Sequence, residues 1–202
     1  MKLKIRYGVV VIALTILITP AFADAVFTRG DHPQDNEQNI LFHPAQMGTT
    51  IDGFTNHTDT LVQFSSTTDT LISSGGQSDV DAVGGLIHDI TITVPGHTFL
   101  DFILNPFKVG KTNDLLVTVK LSDGKTDTFM YGNNHGDNFL TVTTSGGEMI
   151  DSITVDATSG FQGLKQPRIS GISGVVVPEP SSMVLLGSGV LGLAYALRRK
   201  ML

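Results

Sequence analysis

Short alternating runs separated by turn residues fill the chain from Thr49 onward. Thr, Val and Ile recur, turn signals fall roughly every 8 to 12 residues, and no window of helix length is amphipathic, a pattern that predicts strands. Residues 60–65 and 69–73 read as one strand pair around Ser66-Thr67-Thr68. In residues 86–94 the alternation sets Leu86, His88, Ile90, Ile92 and Val94 on a core face and Ile87, Asp89, Thr91 and Thr93 on the other. Residues 98–104 are apolar on both faces, which predicts a central strand covered from both sides or one ending under a loop. Residues 115–121 alternate, Ser122-Asp123-Gly124-Lys125 follows, and a second run covers 126–131. Asp-Gly between two such runs predicts a hairpin with a type I′ turn. Residues 139–144 and 149–156 complete the regular pattern, with Ile153 and Val155 opposing Ile150, Ser152 and Thr154. The glycine- and proline-broken stretch 161–176 predicts one closing strand around Arg168-Ile169-Ser170. About eight to ten strands with short connections predict an all-β domain, an antiparallel β-sandwich of jelly-roll type in two packed sheets, over residues 49–176.

The two ends break this pattern. Lys2, Lys4 and Arg6 precede an apolar run, Pro20 and Ala21-Phe22-Ala23, the order of a secretory signal peptide spanning 1–23. The apolar core is about 12 residues, short of the roughly 20 that span a bilayer, so cleavage is expected after Ala23, with Ala21 and Ala23 as the small residues of the site. Residues 24–48 are polar and aperiodic around 31–39, and read as an arm or loop before the core. At the other end, residues 181–197 form an apolar run about 25 Å long as a helix, followed by Arg198-Arg199-Lys200. A transmembrane helix with a basic cytoplasmic stop is expected, leaving the body outside.

Charge sharpens the picture. Six of the 13 basic residues flank the terminal apolar runs, so the intervening segment carries 7 basic against 19 acidic residues, a net charge of −12. That sign excludes nucleic acid, whose phosphates require clustered Lys and Arg. The absence of Cys excludes a disulfide scaffold, a zinc-thiolate site and a lipoprotein anchor. Sixteen of the acids are Asp, which serves turns and also supplies oxygen to calcium.

Candidate chemistry concentrates in the polar loop at residues 133–138. Asn133, Asn134, Asp137 and Asn138 offer the mixture of amide and carboxylate oxygens that a structural calcium ion takes, and Asp79 with Asp81 offers a second, smaller set. Beside the loop, Tyr131 is the only tyrosine outside the terminal segments, and with His135 it is the candidate for stacking and bonding a sugar. His32 and His43 sit in polar surroundings and read as exposed histidines, while His88 reads as a satisfied histidine at a strand end. No nucleophile elbow, zinc-protease helix or P-loop is present, and no enzymatic activity or cofactor beyond a structural calcium is expected. Gly187-Ser188-Gly189-Val190-Leu191-Gly192 matches a dinucleotide-binding pattern but lacks the strand and following acidic residue that pattern requires.

The order Val177-Pro178-Glu179-Pro180-Ser181-Ser182, apolar run, Arg198-Arg199-Lys200 resembles the PEP-CTERM sorting signal of Gram-negative bacteria. The body, through residues 146–153 and 164–171, is similar to the domain that often precedes such tails, to which no biochemical activity attaches. The resemblance implies that an exosortase-type membrane protease recognises Val177, Pro178, Glu179 and Pro180 and removes the helix, after the secretion translocon has exported the body. It also links export to extracellular polysaccharide. The expectation is a cell-surface or matrix protein with a structural or adhesive sandwich; the alternatives are a calcium-stabilised carbohydrate-binding module and, more distantly, a secreted hydrolase.

Overall fold

The computed structural model describes residues 24–76 and 78–174. The expected signal peptide with Ala21 and Ala23, the motif at 177–180, the helix at 181–197 and the stop at 198–200 lie outside those residues. Among the described residues there are seventeen strands and no helix. The first seven are β1 (Ala25–Arg29), β2 (Gln38–Leu41), β3 (Gln46–Gly48), β4 (Thr50–Thr55), β5 (Leu61–Ser65), β6 (Leu71–Ser73) and β7 (Asp79–Ala82). Next come β8 (Ile87–Thr93), β9 (His97–Thr98), β10 (Asp101–Leu104), β11 (Pro106–Val109) and β12 (Leu115–Leu121). The last are β13 (Thr126–Tyr131), β14 (Leu140–Thr144), β15 (Ile150–Lys165), β16 (Arg168–Ser170) and β17 (Ser173–Gly174).

Fifteen of these join one hydrogen-bonded antiparallel sheet that runs β1-β14-β10-β16-β2-β4-β5-β8-β15-β7-β6-β3, with β11 and β12 on the other edge of β15 and β13 beyond β12. β2 is the corner. Its first half pairs with β16 through Gln38 and Asn39, and its second half pairs with β4 through Ile40 and Leu41. β15 is the spine, with β8 along one edge and β12 along the other. The described strands thus form one continuous antiparallel sheet that curls about its apolar face.

Two edges of that sheet meet. β1 bonds only to β14 and β13 only to β12, yet the Phe27 and Phe129 rings stack at 5.2 Å and Phe129 stacks on Tyr131 at 5.8 Å. The Ala25 amide donates to Asp127 Oδ2 at 2.7 Å, and the Arg29 guanidinium lies over the Phe129 ring. The seam is thus closed by side chains where no backbone ladder exists, which protects two edges that would otherwise offer free pairing groups. Inside, Phe42, Phe64, Phe99, Phe102 and Phe161 are fully buried among aliphatic side chains from most strands.

Several sequence expectations need correction. Residues 24–48 are no arm, since they supply three strands and bury Ile40 and Phe42 completely. Residues 60–65 and 69–73 do not pair with each other: β5 lies between β4 and β8, and β6 pairs with β7 and β3. In β8 it is Ile87 that enters the core at the start, with Leu86 and His88 exposed, because the partner register slips between Asp156 and Phe161. The Asp123-Gly124 hairpin forms as expected between β12 and β13. Its turn is not type I′, however, since only Gly124 has positive φ, with Gly124 N–H bonded to Leu121 O and Leu121 N–H to Lys125 O. That is a type I turn closed by a glycine bulge. The broken stretch after residue 161 is partly one long strand, and the closing strand at 168–170 forms as expected.

Candidate functional site

Two polar constellations stand out. The first is the loop between β13 and β14. Asn138 is its organiser: Nδ2 donates to Pro106 O, Asn133 O and Gly136 O at 3.0, 3.1 and 3.3 Å, and Oδ1 accepts the Asn133 amide at 2.7 Å. The Asn138 amide donates to Asn105 Oδ1, and Asn105 Nδ2 donates to Asp137 Oδ1, both at 2.8 Å. Asn133 Oδ1 accepts the His135 amide at 2.9 Å. Tyr131 donates its hydroxyl to Asn138 O at 3.0 Å, is only 3% exposed, and is held neutral by burial well beyond the ordinary phenol range.

The structure therefore gathers Tyr131, Asn133, Asp137 and Asn138 around one cleft of about 430 Å³, shared with Arg29, Asp31 and Asn113. Asn134 and His135 lie on the exposed part of the loop. The oxygens of Asn133 and Asn138 are committed to backbone N–H groups, which is the bonding of a rigid loop. The Tyr131 ring packs inside the seam and offers no face to a ligand. Asp79 and Asp81 both pair with Lys165 Nζ, at 3.2 and 3.3 Å. Among the described residues no three His, Asp or Glu side chains converge on a point where a metal would sit.

The second constellation was not singled out by sequence reasoning. It lies on the outer face of β10, β14 and β16, where Asp101 stands opposite Thr143 on one side and Ser170 on the other. Phe102 and Leu104 point into the core, while Ile103, although fully buried, is absent from that core cluster. Its cover is the connection between β1 and β2, residues 30–37, which crosses this face as a strap. Arg168, two residues before Ser170 on β16, holds the strap through Asp31 and through Glu37 Oε1 at 2.8 Å from Nη1. Thr141 adds a second fixing, its hydroxyl donating to Gly30 O and accepting the His32 amide, both at 3.0 Å.

Under the strap's edge lies a cleft of about 400 Å³ lined by Pro33, Gln34, Asp35, Leu100, Asp101, Thr143, Thr144 and Ser170. Asp101 is 4% exposed; Oδ2 accepts the Ser170 hydroxyl and Oδ1 has no hydrogen-bond partner. Burial, and to a smaller extent the charge of Glu37, push its pKa up to about 6 against the single opposing bond from Ser170. The signal for this residue was present in the sequence, as one aspartate inside a run read as covered on both faces.

No curated protein and no solved structure matches the chain. Residues 176–200 match the PEP-CTERM protein-sorting motif, which covers Val177, Pro178, Glu179 and Pro180 and the basic stop Arg198-Arg199-Lys200. The chain is therefore all-β in its described residues and carries a PEP-CTERM sorting motif, which indicates an exported, membrane-anchored precursor sorted by exosortase, a membrane enzyme.

Proposed function

We propose that the curled sheet is a structural or adhesive module that works at the cell surface or in the extracellular matrix, in association with exopolysaccharide, after the tail has been removed. The observation that carries this reading is the sorting motif placed directly after a self-contained β body. Two features of the body support a non-catalytic role. Its most polar loop spends its oxygens on its own backbone, and its strands present Thr-rich outer faces such as Thr91 and Thr154, whose hydroxyls bond at 3.0 Å. In this reading residues 1–23 direct export through the translocon, 181–197 cross the membrane, and 198–200 remain on the cytoplasmic side. A sandwich of jelly-roll type would be the closest named architecture for the curled sheet.

The test is the mass of the mature protein recovered from its own cells. Loss of residues 198–202 is expected for the wild type, with retention after Glu179→Ala, because in this reading the protease recognises Glu179 as part of the sorting motif. A mature wild-type chain that still ends at Leu202 would leave a plain membrane anchor. The association is tested separately, by co-sedimentation of the mature protein with the polysaccharide of the same cells; a protein that stays in solution would remove the adhesive role.

A further inference from the structure

The cleft beneath the strap carries chemistry that the sorting motif does not explain. Its floor is a carboxylate with one oxygen bound by Ser170 and the other buried without a partner. An unpaired carboxylate oxygen in such a place is costly unless a donor arrives. The surroundings offer acceptors and hydroxyls: Asp35 on the strap, the Gln34 side chain, and Thr143 and Thr144 on β14. The nearest fixed cation, Arg168, bonds Asp31 and Glu37 through its two terminal nitrogens, and its Nε is buried without a partner. Asp31, Asp35, Glu37 and Asp101 against Arg168 leave this corner with a net charge near −3, so an anion is disfavoured. Leu100, 42% exposed, and Pro33 give the cleft an apolar wall.

A divalent ion is poorly served here, since it needs six or more oxygens and only two carboxylates line the cleft. A primary ammonium is well served, because its three N–H donors take carboxylate and hydroxyl oxygens in any mixture and its charge offsets both acids. We propose that this cleft binds a primary ammonium group, with Asp101 and Asp35 as its charge partners, Thr143 and Thr144 as further acceptors, and Leu100 and Pro33 against the carbon skeleton that bears it. The inference stands apart from the matrix reading and does not require it. An alkyl amine and an amino sugar share the required chemistry.

Titration calorimetry on the mature protein distinguishes them, with cadaverine and glucosamine as probes and glucose and calcium chloride as comparisons. At least one amine is expected to bind with an affinity near the millimolar range. Binding should weaken about tenfold or more in Asp101→Asn, which keeps the side chain's shape, and several-fold in Asp35→Asn, an exposed position that leaves the fold untouched. Because a proton on Asp101 competes with the ammonium, affinity should also fall about tenfold between pH 7 and pH 5. The groups facing Asp101 across that range are Glu37 and Asp35 on the strap, Ser170 and Arg168 on β16, and Thr143 on β14. Cadaverine alone binding assigns an alkyl amine, and glucosamine without glucose assigns an amino sugar. No amine heat at about 10 mM, undiminished binding in both variants, or a preference for calcium or glucose would each overturn the proposal.

Discussion

Asp89 on β8 stands directly opposite Asp156 on β15, one carboxylate facing another across a ladder. Their environments separate them. Burial alone would raise the Asp89 pKa, but hydrogen bonds from the Thr68 hydroxyl, the Thr67 amide, the Ser66 hydroxyl and the Thr67 hydroxyl together outweigh it and bring it down to about 2. Asp156 has no such cradle; burial, and then the charge of Asp89, raise its pKa. Like charges directly opposite each other weaken a sheet. Replacing Asp156 with Asn is therefore expected to stabilise the protein at pH 7 by up to about 1 kcal/mol, and the gain should vanish in acid, where Asp156 is protonated. Denaturant midpoints at the two pH values check this, and a destabilised variant at pH 7 would contradict it.

The cradle itself gives the opposite sign. A carboxylate whose folded pKa is depressed contributes stability above its unfolded value of about 3.9, and that contribution is lost as pH falls toward about 2. Asp89→Asn should cost about 2 kcal/mol at neutral pH, and the variant's acid unfolding should lack the steep limb below about pH 4.

Asp101 moves the other way. With its folded pKa raised to about 6, the protein is favoured below the unfolded value and loses that advantage as pH rises through 6. Thermal melts in amine-free buffer should show stability falling between pH 5 and pH 7, by about 1 kcal/mol, and Asp101→Asn should flatten the decline. An unchanged slope in the variant would place the titration elsewhere.

Arg168 is the clasp of the strap. Its loss leaves Glu37 and Asp31 facing each other with no cation between them, and partly buried pairs broken in this way cost about 2 to 4 kcal/mol. Arg168→Ala should therefore lower stability by that amount and open residues 30–37 to limited proteolysis. Arg168→Lys should rescue little, because a single ammonium does not bridge two carboxylates as a planar fork does.

Gly171 turns the chain out of β16 with φ near +63°, and a Cβ there would lie 2.6 Å from Leu100 Cβ. Gly171→Ala is expected to cost about 1 to 3 kcal/mol from strain and overpacking together. An unshifted melting temperature would mean that Leu100 and the turn yield freely.

Local chemistry made part of this molecule legible. The alternation in β12 and the Asp-Gly punctuation after it depend on neighbours in sequence, and both produced the expected hairpin. The doubly apolar run ending at Leu104 likewise became a central strand under a loop. What stayed hidden depends on distant partners. β1 looks like part of a polar arm because its ladder is made with β14, more than a hundred residues away. Ser66-Thr67-Thr68 looks like a simple turn, but Asp89 ties it to β8, so that β5 joins β8 while β6 leaves for β7. The candidate sites divide in the same way. The amide loop was visible as composition, but that its oxygens face inward was not; Asp101 was visible as an oddity, but Ser170, Glu37 and the strap reach it only through the fold.

The corner where the described chain ends also fixes a spacing. Gly174 pairs with His97, and Phe99 bridges to Ile150, which faces Leu121 at one end of β12. Tyr131, at the root of the amide loop, faces Leu115 at the other end. Six residue steps of strand separate the two, roughly 20 Å. The point of departure toward the tail and the cleft beside Leu100 thus form the base of a short pillar, and the Asn133–Asn138 loop is its tip. The last described residues and the cleft are therefore held at one end of a rigid ladder, and the amide loop at the other.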